Sequence, residues 1–197
     1  MNISKIAKTG YLLAAIAVTP VMSIGMERGT CKPGQPTEQS YTWNFPREAS
    51  GILNDVRAGA TQVEDHADQL RSLSMNTSLN WQGQGDELIS IKGKVNDMGA
   101  KLCRLEEIRA AVLPWQRKAI DQTAVLIQEM ANNTKQAIQY LNKNEEHLWS
   151  STSRPYATNL YNESRRLSQT IGNFEKLAKL RQEEKALHTA LGTKSSA

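Results

Sequence analysis

Apolar residues recur at alternating steps of three and four positions through four long segments of this 197-residue chain. That spacing places them along one side of an α-helix, so each segment predicts an amphipathic helix that packs on partner helices. The most regular stripe comprises Leu88, Ile91, Val95, Met98, Leu102, Leu105, Ile108 and Val112. The pattern therefore predicts an all-α protein.

The limits of the first two helices follow from residues that cap or interrupt helices. Asn44 can cap a first helix with Pro46 in its first turn, and this helix runs to about Met75. Its predicted inward stripe is Ile52, Val56, Ala60, Val63, Ala67, Leu70 and Leu73. Glycines and turn-forming residues follow, so the second helix is predicted to begin near Asp86.

Pro114 interrupts the helical pattern, because a proline pushes the residue before it away from helical geometry. The sequence leaves open whether this break is a turn or a kink in a rod of double length. A third helix follows from Trp115, and a fourth runs from about Pro155 until Gly192 ends it. The predicted inward stripe of the fourth helix is Ala157, Leu160, Tyr161, Leu167, Ile171, Phe174, Leu177, Leu180, Leu187 and Leu191.

Four helices of similar length with short connections favour antiparallel neighbours. The sequence thus predicts an up-down-up-down four-helix bundle over residues 46–191. It also predicts a signal peptide over residues 1–25, an extended lead-in over residues 26–45 and a disordered tail over residues 192–197.

The amino terminus has the three regions of a secretory signal, with Lys5 and Lys8, a short apolar stretch over residues 11–18, and small residues at Ser23 and Gly25. A retained membrane anchor is the alternative, but a span needs about twenty apolar residues, and this stretch is shorter. We expect cleavage after Gly25 and export to the periplasm or the cell exterior. Membrane contact is then expected only through the signal segment.

The net charge bears on whether the protein binds nucleic acid, and the two cysteines bear on whether it contains a disulfide. The formal net charge is +4, and Lys5 and Lys8 supply two of these charges, so that a phosphate-backbone partner is not favoured. We therefore expect no nucleic acid ligand. Cys31 and Cys103 would enter an oxidising compartment, which favours one disulfide between them; two unpaired thiols are the alternative.

The sequence shows no cluster of residues typical of a catalytic, cofactor or metal site. The three histidines, His66, His147 and His188, lie on different predicted helices. A haem held by His66 with Met98 or Met130 is the remaining cofactor alternative, although methionines on such stripes are commonly core residues. We accordingly predict no catalytic residues, no cofactor and no metal site.

Aromatic residues are predicted to gather at the two ends of the bundle. The candidate binding surface comprises Tyr41, Trp43, Phe45, Trp81, Trp115 and Trp149. We expect an exported, non-catalytic binding, adaptor or envelope-associated protein with a protein partner. The alternatives are a coiled-coil protein that associates with itself and a bundle that holds haem or a metal.

Overall fold

The computed structural model describes residues 44–75, 81–144 and 154–192, and this part of the chain is an all-α bundle. The helices are α1 (Phe45–Met75), α2 (Trp81–Ile108), α3 (Pro114–Lys143) and α4 (Arg154–Ala190), with a short 3₁₀ helix at Arg109–Ala111. None of these helices combines the length and the apolar character that crossing a membrane requires. The predicted signal, most of the lead-in and most of the tail lie outside the described residues.

The four helices form a ring in which each helix packs against two neighbours. α1 and α3 each contact α2 and α4, whereas α1 and α3 lie on a diagonal. His66 in the second half of α1 bonds to Glu87 near the start of α2, and Glu48 at the start of α1 bonds to Arg104 near the end of α2. These pairs require α1 and α2 to be antiparallel. The contacts of Asn133 with Glu163 and of Arg57 with Glu175 require the same of α3 with α4 and of α1 with α4, so the predicted up-down-up-down topology is confirmed.

Local hydrogen bonds explain where α1 begins and where the chain turns into α3. The Asn44 side chain accepts a hydrogen bond from the Arg47 backbone N–H at 3.0 Å, so the predicted cap is confirmed. Val112 and Leu113 are extended, with ψ angles of 169° and 153°, before α3 begins at Pro114. Pro114 therefore marks a turn between two antiparallel helices and not a kink in one rod.

α2 begins at Trp81, five residues before the predicted start, and includes Gly83 and Gly85. A glycine costs about 1 kcal/mol in a helix interior, and this cost underlies the later predicted start. In the bundle, however, a Cβ at Gly83 would lie 3.6 Å from Leu73, and one at Gly85 would lie 3.6 Å from Leu141. Contacts from α1 and α3 thus cover this turn and compensate for its weak helix propensity.

The core follows the predicted stripes closely in the middle of the bundle. Every residue of the predicted α2 stripe is buried. In α1 the centre of the stripe is also buried, but Leu53 and Ser74 are buried where Ile52 and Leu73 were predicted to point inward. Ile52 and Leu73 are half-buried, because α1 packs on two neighbours and the face that it buries is broader than one stripe.

The predicted stripe of α4 is correct in its first half and wrong in its second half. Ala157, Leu160, Leu167 and Ile171 are buried, but Leu177, Leu180, Leu187 and Leu191 are exposed. The core seam of α4 consists of Leu160, Ser164, Leu167, Ile171 and Phe174. Its continuation at the same spacing falls on Ala178, Arg181 and Lys185, so the seam becomes largely polar there.

The four exposed leucines lie one position earlier than this continuation. One residue corresponds to about 100° of rotation around a helix, so the leucines occupy a different face from the core seam. α4 therefore carries two apolar faces in succession, and only the first of them belongs to the core.

Candidate binding surface

The second half of α4 presents a leucine stripe, which we define as Leu177, Leu180, Leu187 and Leu191. Their exposed fractions are 43%, 52%, 62% and 70%, and they rise towards the end of the helix. Residues 179–192 are all exposed. Because these residues cover every side of the helix, this length of α4 packs against no other described element.

Glu184 completes the leucine stripe to a regular heptad pattern. From Leu177 to Leu191 the steps are three, four, three and four residues, the spacing of the a and d positions in a coiled coil. At about 1.5 Å per residue the stripe is about 20 Å long. The stripe is narrow, as in a helix that meets one other helix, and Glu184 lies at its centre.

Charged residues flank the leucine stripe on both sides. Lys176 and Glu183 lie at the g positions, and Arg181 and His188 lie at the e positions, which border the contact line of a coiled coil. Within the helix, Glu183 approaches Lys179 at 3.9 Å, and His188 approaches Glu184 at 3.9 Å. Such exposed pairs contribute only a few tenths of a kcal/mol.

A contact between α1 and α4 marks the place where α4 leaves the core. The guanidinium of Arg57 lies against Gly172, where a Cβ would be 3.2 Å from its central carbon. The same guanidinium bonds to the Glu175 carboxylate at 3.2 Å. The leucine stripe begins two residues after Glu175, so this contact fixes its base relative to the bundle.

The described aromatic candidates lie at the predicted ends. Phe45 begins α1 and Trp115 lies in the first turn of α3, and both are half-buried against the core. Trp81 begins α2 at the opposite end and is 40% exposed. Tyr41, Trp43 and Trp149 lie outside the described residues, so the aromatic binding surface stays a prediction.

The end of the bundle that carries Trp81 contains a small cavity. All four helices line it, and Tyr140 and Tyr156 form part of its wall, with ring centroids 5.8 Å apart. Its volume is about 10 Å³, which suits about one water molecule. Nearby, the Arg71 guanidinium lies 4.9 Å from the centre of the Tyr161 ring. These aromatics pack this end of the core.

A half-buried carboxyl group lies between α3 and α4. The Asn133 amide donates a hydrogen bond to one oxygen of Glu163, and the other oxygen is buried without a described partner. The pKa of Glu163 is raised to about 7, chiefly because burial removes hydration from the charged form; the hydrogen bond from Asn133 opposes this rise, and the nearby Glu129 adds to it. We therefore expect Glu163 to make the stability of the bundle depend on pH.

His66 and Met98 are not placed to share one haem iron. His66 bonds to Glu87 at 2.7 Å, whereas the Met98 side chain packs against Gly59, seven residues earlier on α1. Seven residues correspond to about 10 Å along the helix axis, too far for two ligands to one iron. Within residues 44–75, 81–144 and 154–192, no group of three or more histidines, cysteines and acidic residues is placed to hold a metal.

Only one of the two cysteines that are predicted to form a disulfide lies within the described residues. Cys103 is half-buried on α2, and Cys31 lies outside the described residues. The bridge between them therefore stays a prediction. His147 likewise lies outside the described residues.

Comparison with protein-family models, curated proteins and solved structures finds no match for this chain. The leucine stripe is the feature that sequence reasoning placed in the core. The signal that identifies it is the shift by one residue after Phe174, together with Arg181 and Lys185 at the positions where the core seam would continue.

Proposed function

We propose that this chain is an exported, non-catalytic helical-bundle protein that binds an α-helical partner through the leucine stripe of α4. The bundle serves as the scaffold, and the exposed half of α4 serves as the recognition element. The observation that carries the proposal is the heptad spacing of four leucines, exposed by 43% to 70%, on a helix that has already left the core.

The energetics of exposed leucines support a binding role. Burying one leucine side chain stabilises a protein or complex by about 1.5–3 kcal/mol, so four aligned leucines represent a substantial unused contribution. Scattered exposed leucines are ordinary on protein surfaces, whereas a regular row on one helix face is typical of a docking site.

The width and charge of the stripe favour a helix over a membrane surface as the partner. Helices that lie in a membrane interface have a broad apolar face, commonly with Trp or Phe. Here the apolar face is one residue wide at each step, and Glu184 interrupts it at its centre. A partner helix can place a cation beside Glu184, whereas lipid tails cannot.

The proposed place of action depends on the amino-terminal sequence. Residues 1–25 have the pattern of a secretory signal, and the two cysteines suit an oxidising compartment. A partner in the periplasm or outside the cell is therefore proposed.

Photo-crosslinking in the cells that produce the protein tests the binding role. A photoreactive phenylalanine analogue at Leu180 is expected to yield an adduct of discrete mass. The same analogue at Ile89 provides the matched control, because Ile89 is 68% exposed on α2 and lies far from the stripe. The change Leu187→Lys is expected to abolish the adduct at position 180. Absence of any adduct from the stripe, or equal adducts from both positions, would overturn the proposal.

The aromatic end is a second candidate surface, since Trp81 is 40% exposed. The same analogue at position 81 tests it independently. If Trp81→Ala leaves all observed binding unchanged, this end serves only to pack the bundle.

A further inference from the structure

We infer that the partner of the leucine stripe is a second copy of this chain, bound antiparallel along the same stripe. This inference rests on the proposed function and specifies its partner. The charged residues around the stripe favour one of the two possible orientations of the second copy, because parallel and antiparallel pairing bring different residues together.

Parallel pairing places like charges against each other. In a parallel pair the two Glu184 side chains would meet in the same layer of the contact line. Each g position would also face the next e position of the second copy, which brings Lys176 beside Arg181. Both contacts are repulsive at neutral pH. The same rule brings Glu183 beside His188, but the repulsive contacts include the one at the centre of the contact line, so the sequence of the stripe disfavours this orientation.

Antiparallel pairing gives Glu184 a cation in place of a second glutamate in the contact line, while the two Glu183 side chains face each other at its outer edge. In the register that sets Leu180 of one copy opposite Glu184 of the other, Leu177 lies opposite Leu187 of the second copy. Arg181 follows Leu180 at the edge of the contact line and can therefore pair with Glu184 of the second copy. The twofold axis repeats every contact, so each Glu184 gains one arginine.

The length of the stripe determines how strong this association is. Residues 177–191 provide about two heptads, which is short for a permanent coiled coil. The pairing is consequently reversible and depends on concentration.

Sedimentation equilibrium of the intact protein tests the association. The apparent mass is expected to rise with concentration from that of one chain towards that of two chains. Leu180→Lys is expected to keep the protein at the mass of one chain, whereas Ile89→Lys should behave as the wild type. Circular dichroism checks that both variants retain their helices. One-chain mass at every concentration, or unchanged association of the Leu180→Lys variant, would overturn the inference.

Charge reversal tests the orientation and register. Arg181→Glu places two acidic side chains together, and Glu184→Arg places two basic side chains together, so each change should weaken dimerisation by about tenfold or more. The double variant carrying both changes should restore dimerisation to within about threefold of the wild type. Failure of the double variant to recover would overturn the antiparallel pairing.

The crosslinking experiment separates this inference from the proposed function. An adduct at position 180 with twice the mass of the chain supports self-pairing. An adduct with a different protein contradicts self-pairing but retains the binding role. A crosslink within one chain, for example to residues 26–43, contradicts both.

Discussion

Glu163 illustrates how one half-buried carboxyl group can make the stability of a bundle depend on pH. Its pKa rises from 4.5 to about 7, mainly because burial removes hydration from the charged form. The folded protein therefore retains the proton over a pH range in which the unfolded chain has lost it. The stabilisation is complete below about pH 4.5 and is lost as the pH rises through about 7.

Glu163→Gln is expected to remove this dependence, because a neutral amide keeps an acceptor for Asn133 and has no charge to bury. At pH 8 the variant should be more stable than the wild type, by about 1 kcal/mol or more. Urea unfolding from pH 5 to pH 9 measures the difference. Glu106→Gln, at an exposed position, provides the control and should leave the pH profile unchanged. Parallel profiles for wild type and Glu163→Gln would contradict this explanation.

The buried side chain of Gln116 joins α1 to the start of α3. Its amide nitrogen donates to the Pro46 carbonyl at 2.6 Å and to the Ser50 hydroxyl at 2.9 Å, and its oxygen accepts from the Leu113 N–H at 2.9 Å. Gln116→Leu leaves buried polar groups without partners, so the free energy of unfolding should fall by about 2–3 kcal/mol. Gln122→Leu, on the exposed side of α3, should change it by less than about 0.5 kcal/mol. Similar losses in both variants would show that the hydrogen bonds of Gln116 matter little.

Single residues differed in how well their roles could be predicted from the sequence. Asn44 was predictable as a helix cap, because its partner is the backbone three residues later. The role of Gln116 was not predictable, since Pro46 and Ser50 lie about seventy positions away and meet it only in the folded bundle. Local sequence patterns contain the first kind of information and not the second.

At the scale of one helix, two glycines of α1 have different surroundings. Nothing lies within 4 Å of a Cβ built at Gly51, whereas one at Gly59 would lie 3.0 Å from the Met98 side chain. Gly51→Ala should therefore stabilise the protein by about 1 kcal/mol, the full gain in helix propensity. Gly59→Ala should raise the free energy of unfolding by at least about 0.5 kcal/mol less than Gly51→Ala does, because Met98 is buried and must shift to make room for the new Cβ. Urea unfolding of both variants checks this order, and an equal gain at both positions would contradict it.

Helix α4 shows both the strength and the weakness of predicting packing from apolar periodicity. The spacing of Leu160, Leu167 and Ile171 predicted the core face correctly. Apolar periodicity also assigned Leu177 and Leu180 to that face. The steps from Phe174 to Leu177 and from Leu177 to Leu180 are each three residues, and a step of three is compatible with a helical stripe. The slip in phase becomes visible only when the continuation of the core seam is followed to Arg181 and Lys185.

For the whole molecule, the proposed export and the proposed disulfide are tested together. Mass spectrometry of the unreduced, exported protein should give a chain that begins at Met26 and a peptide that contains both Cys31 and Cys103. In the loop-entropy account, reduction of this bridge should lower the free energy of unfolding by about 4 kcal/mol. Two free thiols in the exported protein would contradict the bridge, and an intact amino terminus would contradict signal cleavage.

One uninterrupted helix runs from the cavity end of the bundle, past the Arg57 contact, to the last leucine of the stripe. No break in α4 separates its packed part from its exposed part, so the packed part fixes the direction in which the exposed part points. The bound partner would be held at a set angle, with its far end about 25 Å beyond Phe174. In the proposed complex, lengthening α4 by whole heptads should alter the spacing between the joined bodies without altering what they recognise.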